Sequence, residues 1–580
     1  MIIRIWLLAS LLMQFSCGAN TQSMSTSVPI TTSNQSIIRY DSIHHPVVAR
    51  HGMVVTQNEL ASRVGQTILE QGGNAVDATV AIGFALAVTL PRAGNLGGSG
   101  FMLVHMAQPK ETIALDFRSI APAAARLEDF LDEAGDIRWD DLTFGARAPA
   151  VPGTVAGLYH AWQKFGSLPW SLLVEPAINL AKEGIVVSED LAYAFAEAMP
   201  IISQYPSSII AYAKDADTSY LAGEILHQPD LAWSLERISE QGANAFYSGD
   251  IAEKIIDFMG QSGGYISSQD LQLYQVKERA PIATNYRQHK IVTMPPSSVG
   301  GLALLQMLNV LKQFDLSSLD PGSARSLHLL AEVMKRVNAN RRQGIGDTDF
   351  VSVPIEGILS EELAKEIAAS IDLGKASSVS VINPIDANPY ESRETTHYSV
   401  MDDFGNAVST SYTLGYSFGS GLVVPGTGIL LDNQMRNFSH RELGHANEMT
   451  PGKRPVSTMT PTLVFDVNDD IKIVTGTPGG SRIHNVIMQL LVNLIDYQMN
   501  IAEATHTPRI YQGWRTSELA VERGINADTS SLLRLMGHDV QLQQTMGSTQ
   551  SIVREEGRLY GSADPRRPGA LALGVDRVLH

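Results

Sequence analysis

Residues His397 to Leu414 contain two strand-forming runs, "HYSVMD" and "AVSTSYTL", separated by Asp403-Phe404-Gly405-Asn406. β-branched and aromatic residues suit a pleated, half-buried surface, and a short Asp/Gly/Asn-rich break closes an antiparallel hairpin. A turn centred on Phe404 sets Thr395 opposite Thr413. Opposed side chains on one face of a hairpin lie within a few Å of one another, and a slip of one residue would turn one of them to the other face. Thr-Thr pairs also occur in ordinary sheets, so the pair alone does not establish chemistry.

The rest of the chain bounds the answer. At 580 residues, with 18% charged and 44% hydrophobic residues, it is long enough for several domains or one large body. A net charge of -17 leaves no electrostatic footprint for nucleic-acid binding, and an anionic substrate would need local arginines to overcome the general field. Residues 1–17 combine Arg4 with an apolar run from Ile5 to Phe15, which reads as an export signal rather than a bilayer span. That places the protein in the periplasm or outside the cell, with a lipid anchor on Cys17 as the lesser reading. Cys17 is the sole cysteine, so no disulfide framework is available. Residues 18–40 are rich in Ser, Thr and Asn and read as a flexible spacer.

From Ala49 the pattern becomes regular. A helix ending at Gly72-Gly73 precedes a more buried one starting at Asn74, and "ETIALDFR" is a short strand ending at Asp116, Phe117 and Arg118. Helical stretches dominate between Gly153 and Lys365, and strands return after Tyr398, so the best internal boundary lies near residue 390. No repeat and no further apolar span is evident.

Two glycine-rich stretches stand out. "TGTPGGSRI" places Pro478-Gly479-Gly480 between a strand and a helix, where consecutive N-H groups make a donor site for an anion or a developing oxyanion; a plain turn would look the same. No Lys-Ser/Thr follows, which excludes a phosphate loop. "NLGGSGFMLVH", starting at Asn95, reads as architectural. Gly415-Tyr416-Ser417-Phe418-Gly419 matches a nucleophile elbow, but the glycines and proline that follow cannot form the helix an elbow requires. His440, Glu442 and His445 have the wrong spacing for a zinc pair on one helical face and read as a solvated loop.

Taken together, "ETTHYSV", "GILLDNQM", "PGKRPVSTMTPT", "TGTPGGSRI", "MGSTQSI" and "NLGGSGF" resemble the γ-glutamyltranspeptidases, of the N-terminal nucleophile hydrolase superfamily, from about residue 40 to the end. The resemblance implies an α+β, four-layer αββα sandwich. It also implies a precursor cut between Glu394 and Thr395 into a large chain (41–394) and a small catalytic chain (395–580), which together form one folded heterodimer. Thr395 becomes the nucleophile, its freed amine the base, and Thr413 orients it. Gly479 and Gly480 form the oxyanion hole; Arg118, Ser457 and Thr458 hold the substrate α-carboxylate; Gln434 and position 437 face its α-amino group. No cofactor or metal is implied, and the substrate is a γ-glutamyl amide such as glutathione, with water or an amine as acceptor.

Two positions depart from the family pattern. Asn437 stands where well-studied members carry an aspartate, and Gly415 where they carry Asn or Glu. The segment from Asn437 to Arg454 is also shorter than the lid loop of some bacterial members. These changes keep open an acylase for acyl groups lacking the α-amino group, such as glutaryl amides or cephalosporin side chains. A periplasmic binding protein without chemistry is the third reading.

Overall fold

Neighbouring residues on the central strands serve two different cores. Val54, Met102, Val104, Val400 and Val408 pack into one hydrophobic cluster. Met53, Val55, Phe101, Leu103, Met401 and Ala407 pack into another. Successive side chains of a strand point to opposite faces, so both faces of this sheet are covered.

The computed structural model describes residues 42–340, 344–378, 394–440, 444–513 and 517–576. The export signal, the spacer and Cys17 lie outside them. The strands of the two main sheets are, in chain order, β1 (Val47–Ala49), β2 (Gly52–Thr56), β3 (Ser99–Met106), β4 (Glu111–Phe117), β5 (Lys277–Arg279), β6 (Ile282–Tyr286) and β7 (His289–Thr293). They continue with β8 (Thr396–Asp402), β9 (Ala407–Thr413), β10 (Thr462–Phe465), β11 (Ile471–Thr475), β12 (Gln550–Glu555), β13 (Arg558–Ala563) and β14 (Leu571–Val575). One seven-stranded sheet runs β14-β2-β8-β9-β3-β4-β5, and the other runs β1-β13-β12-β11-β10-β7-β6. The pairings within both are antiparallel.

Helices α1 (Glu59–Glu70), α2 (Ala75–Thr89), α3 (Thr154–Phe165) and α4 (Trp170–Glu183) cover the outer face of the first sheet. Helices α5 (Val299–Leu311), α6 (Ala324–Asn340) and α7 (Ile483–Ile495) pack with the second sheet, whose Leu463, Val464, Ile473 and Val474 share their core. The layers are helix, sheet, sheet, helix. Asn58 caps α1 by accepting from the Leu60 and Ala61 amides, and Asn74 with Asp77 forms a capping box on α2. Every residue of α2 is buried, in keeping with its largely apolar sequence, and its one charged residue, Asp77, is held in the capping box.

The hairpin register agrees with the sequence reading, pairing Thr396 with Tyr412 and His397 with Ser411 through to Met401 with Ala407. The helical reading of 153–365 is corrected at β6 and β7, a hairpin whose charged tip, with Arg287 at φ 54°, masks its strand pattern. "LAWSLERISEQGANAFYSG" is likewise two helices, Pro229–Gln241 and Asn244–Tyr247, because the chain turns at Gly242 with φ 64°.

Candidate active site

Thr395 is the residue before β8 and is 6% exposed; Thr413 ends β9 and is 5% exposed. Their hydroxyl oxygens are 3.4 Å apart. Thr395 Oγ1 donates to the Glu394 carbonyl oxygen at 2.6 Å, and Thr413 Oγ1 reaches the same oxygen at 3.1 Å. The Gly415 amide donates to Thr413 Oγ1 at 2.9 Å, which leaves the Thr413 proton directed at that carbonyl. On the other side of β9, Thr413 pairs with Ser99 of β3. The glycines of "NLGGSGF" permit this approach: a Cβ on Gly98 would lie 2.6 Å from the Thr413 carbonyl oxygen, and one on Gly100 would lie 2.4 Å from that of Ser411. Their role is architectural, as expected.

His397, two residues past Thr395, is not the base. Its ring is fully buried between Ser411 Oγ, 2.8 Å from Nδ1, and Ser399 Oγ, 3.2 Å from Nε2. Burial pushes its pKa down to about 3, so it stays neutral at working pH. A Cβ on Gly476 would come within 2.2 Å of this ring, so that glycine lets the second sheet close over it.

Arg118 follows β4 and is 1% exposed. Nη1 donates to Ser99 Oγ at 3.2 Å and Nε to the Pro455 carbonyl at 3.3 Å. Its own amide donates to Asp116 Oδ1 at 3.1 Å, and its carbonyl accepts from Tyr274 Oη at 3.0 Å. Burial lowers its pKa to about 10, with Asp432 and Asp116 opposing, so it remains a cation at neutral pH. Asp432 joins this group to Gln434: it accepts from Ser119 Oγ, from the Ala150 amide at 2.9 Å and from the Gln434 amide at 3.2 Å. Burial raises the Asp432 pKa to about 7, with those hydrogen bonds and Arg118 opposing.

Ser457 and Thr458 follow two residues after Pro455, and Thr458 Oγ1 donates to the Gly480 carbonyl at 2.8 Å. Gly479 and Gly480 adopt φ of 134° and 56° at the entry to α7, conformations that favour glycine. Strand pairing joins Thr413 to Ser99, hydrogen bonds join Ser99 to Arg118 and Arg118 to the Pro455 carbonyl, two residues before Ser457, and a separate hydrogen bond joins Thr458 to Gly480.

The positions expected to face the substrate's amino group are held differently. Gly415 has φ 96°, and a Cβ there would lie 2.1 Å from Asn433 Oδ1. Asn433 is held by the Tyr416 amide, 3.1 Å from Oδ1, and donates to the carbonyls of Thr143 at 3.1 Å and Gly419 at 3.0 Å. No side chain fits at 415. Asn437 Nδ2 donates to Gln434 Oε1 at 2.7 Å, while Gln434 Nε2 is buried without a partner.

After Gly419 come only short strands, Val423–Val424 and Ile429–Leu430, so Ser417 is on no nucleophile elbow. "HRELGH" is in no helix or strand at its described residues, as read, but its solvated character is corrected at His440, which is 6% exposed and meets Trp139 edge-on at 5.7 Å; Glu442 lies outside the described residues. Among the described residues, His328, Glu332 and His538 could bring three ligand atoms together. Glu332, however, already holds Lys335 Nζ at 2.7 Å and Arg336 Nη1 at 2.6 Å, which offset its charge and oppose a cation.

Ser99, Asp432, Asn433 and an ion pair on Glu394 are absent from the sequence reading. Arg92 Nη1 lies 3.0 Å and Arg567 Nη2 3.6 Å from the Glu394 carboxylate. Asp432 and Asn433 lie inside the "GILLDNQM" motif and Ser99 inside "NLGGSGF", and membership of those motifs was the signal that could have found them.

A family model described as Gamma-glutamyltranspeptidase matches residues 61–574. The chain belongs to that family. It is 44% identical over 545 residues to a glutathione hydrolase proenzyme of Escherichia coli (strain K12), covering 92% of this chain and 93% of that protein. It is 35% identical to the acylase ACY 1 proenzyme of Pseudomonas sp. (strain SE83), covering 92% and 96%. The cephalosporin acylase structure from Bacillus halodurans superposes with a TM-score of 0.83 at 29% identity, over 94% of this chain and 100% of that one. This family member has the layers of an N-terminal nucleophile hydrolase.

Proposed function

We propose that the chain is a self-cleaving γ-glutamyl hydrolase and transferase that acts on glutathione and related amides. The observation that carries this reading is the Thr395 hydroxyl, 2.6 Å from the Glu394 carbonyl oxygen and supported by Thr413. In the first reaction Thr395 Oγ1 attacks the Glu394 carbonyl carbon, the C–N bond breaks, and the hydroxyl proton passes to the departing Thr395 nitrogen. Thr413 donates to the oxygen that gains charge. Water then hydrolyses the ester, leaving a carboxylate on Glu394 and restoring the Thr395 hydroxyl. The freed α-amine has an ordinary pKa of about 8, so it serves as base at neutral pH.

In the second reaction the same hydroxyl takes the γ-glutamyl group from an amide and releases the amine. Water or a second amine resolves the ester. Arg118 grips the donor α-carboxylate, Ser457 and Thr458 assist, and the Gly479 and Gly480 amides stabilise the oxyanion, contributing about 3 kcal/mol per donor. The proenzyme names of several relatives support the cut. We assign residues 41–394 and 395–580 to its two chains, and the apolar start supports export to the periplasm.

Mass spectrometry of the purified protein tests the reading: two chains with a break before Thr395 are expected, and a single chain or another cut site sinks it. The state of Gly415 and Asn437 favours the acylase reading as the second. Turnover of γ-glutamyl and glutaryl anilides separates them, and a strong γ-glutamyl preference eliminates the acylase.

A further inference from the structure

Glu394 is held by side chain as well as by main chain. Arg92 Nη1 lies 3.0 Å from Glu394 Oε2, while Arg92 Nη2 donates to Asp190 Oδ2 at 2.7 Å. Arg567 Nη2 approaches the other oxygen of Glu394, Oε1, at 3.6 Å. The Arg92 side chain is 9% exposed and that of Glu394 19%, and Arg92 Nε is buried without a partner. Four charges balance here, two arginines against Asp190 and Glu394. The group is distinct from the Arg118 clamp: Arg92 lies between α2 and β3, and its carbonyl accepts from the Phe418 amide at 3.0 Å.

This balance cannot outlast catalysis. The Glu394 carbonyl occupies the place from which Thr395 Oγ1 must reach any later substrate, so the Glu394 end has to leave once it is cut. Its departure strips the Glu394 carboxylate from Arg92 and Arg567, while Arg92 keeps Asp190 at 2.7 Å. The two guanidiniums then carry more positive charge than Asp190 offsets, and a partly shielded excess charge of this kind recruits another anion. The guanidinium fork suits a carboxylate.

We propose that Arg92 and Arg567 form a carboxylate site that Glu394 fills in the uncut chain and that, after cutting, takes the carboxylate of the amine half of the reaction. Its ligand is a peptide amine with a free C-terminal carboxylate, either leaving from the donor or arriving as acceptor. The inference rests on the proposed function for its place in the reaction, but its binding can be read without turnover.

Calorimetry on the cut enzyme, comparing glycylglycine with glycylglycine amide, tests it. The free acid is expected to bind about tenfold more tightly, and this preference should collapse in Arg567→Gln. The Arg567 side chain is 29% exposed and the substitution keeps a polar group of similar length, so this variant folds without creating a buried defect. Arg92→Lys, which keeps the charge but loses the fork, should lower the preference only partly. Equal binding of acid and amide by the wild type, or a preference that survives Arg567→Gln, overturns the site. Failure to hydrolyse any γ-glutamyl anilide would instead overturn the proposed function and leaves the calorimetric outcome to decide the site.

Discussion

The proposed carboxylate end of the site, at Arg118, and its proposed amino end, at Gly415 and Asn437, are linked through Asp432 and are built on opposite principles. Arg118 sits just past a strand whose neighbour pairs with the strand of Thr413, and its main-chain and side-chain groups are fixed by Asp116, Tyr274, Ser99 and Pro455. The amino end consists of loop residues, where Asn433 fills the space at Gly415 and Asn437 is turned toward Gln434. Sheet register holds the reacting groups and the carboxylate reader in place. The loop end touches both through main-chain groups, the Gly415 amide on Thr413 Oγ1 and the Gln434 amide on Asp432, while its side chains are set separately.

The largest test removes what both ends serve. Thr395→Ala should leave one uncut chain and lower γ-glutamyl anilide hydrolysis by at least about 10⁴-fold, whereas Thr395→Ser, which keeps a hydroxyl, should retain partial cleavage and turnover. Gel electrophoresis and initial rates check both. If the alanine variant still cuts, the shared catalytic centre is misplaced.

Next in size is Arg118→Lys. Exchanging a two-point fork for a point charge at a buried, pre-organised position should lower kcat/KM by about 10²-fold for γ-glutamyl and glutaryl anilides that carry the carboxylate. A loss confined to one of the two acyl groups would break the assignment of the carboxylate end.

Asn437→Asp addresses the other end. A restored negative charge should lower KM for the γ-glutamyl anilide by about tenfold, equivalent to roughly 1 to 2 kcal/mol, and should give no gain on the glutaryl compound. Equal effects on both would mean that the amino group is not read there.

The smallest effect belongs to the residue that bridges the two ends. Asp432 has a folded pKa raised to about 7, so between about pH 4 and pH 7 the folded state keeps a proton that the unfolded state releases. Its contribution is present at low pH and is lost as pH rises through that window. The Tm of the wild type relative to Asp432→Asn should therefore fall between pH 5 and pH 8, by no more than about 5 °C. A relative Tm that stays flat over that range would show that Asp432 is ionised throughout.

What could be read in advance follows the same division. The Thr395–Thr413 pair was legible because strand period and a four-residue turn leave one register, and the structure shows that register. The Gly479-Gly480 turn was legible because it joins a strand to a helix, whereas the role of Arg118 came only from the family resemblance. Asn433 escaped because nothing in its neighbours states that its side chain folds back under Gly415. Arg92 and Arg567 escaped for another reason, since 302 residues separate Arg92 from its partner Glu394 and no local pattern spans that distance. The β6–β7 hairpin was hidden by the polar residues at its tip.

Strand β8, which would follow the proposed cut, lies between β2 and β9 and is hydrogen-bonded to both. β2 comes from before the proposed cut and β9 from after it. Separating the two chains would therefore require tearing a sheet open through its middle. The cut enzyme should keep its specific activity on dilution, and mixing two differently labelled preparations should yield no hybrids.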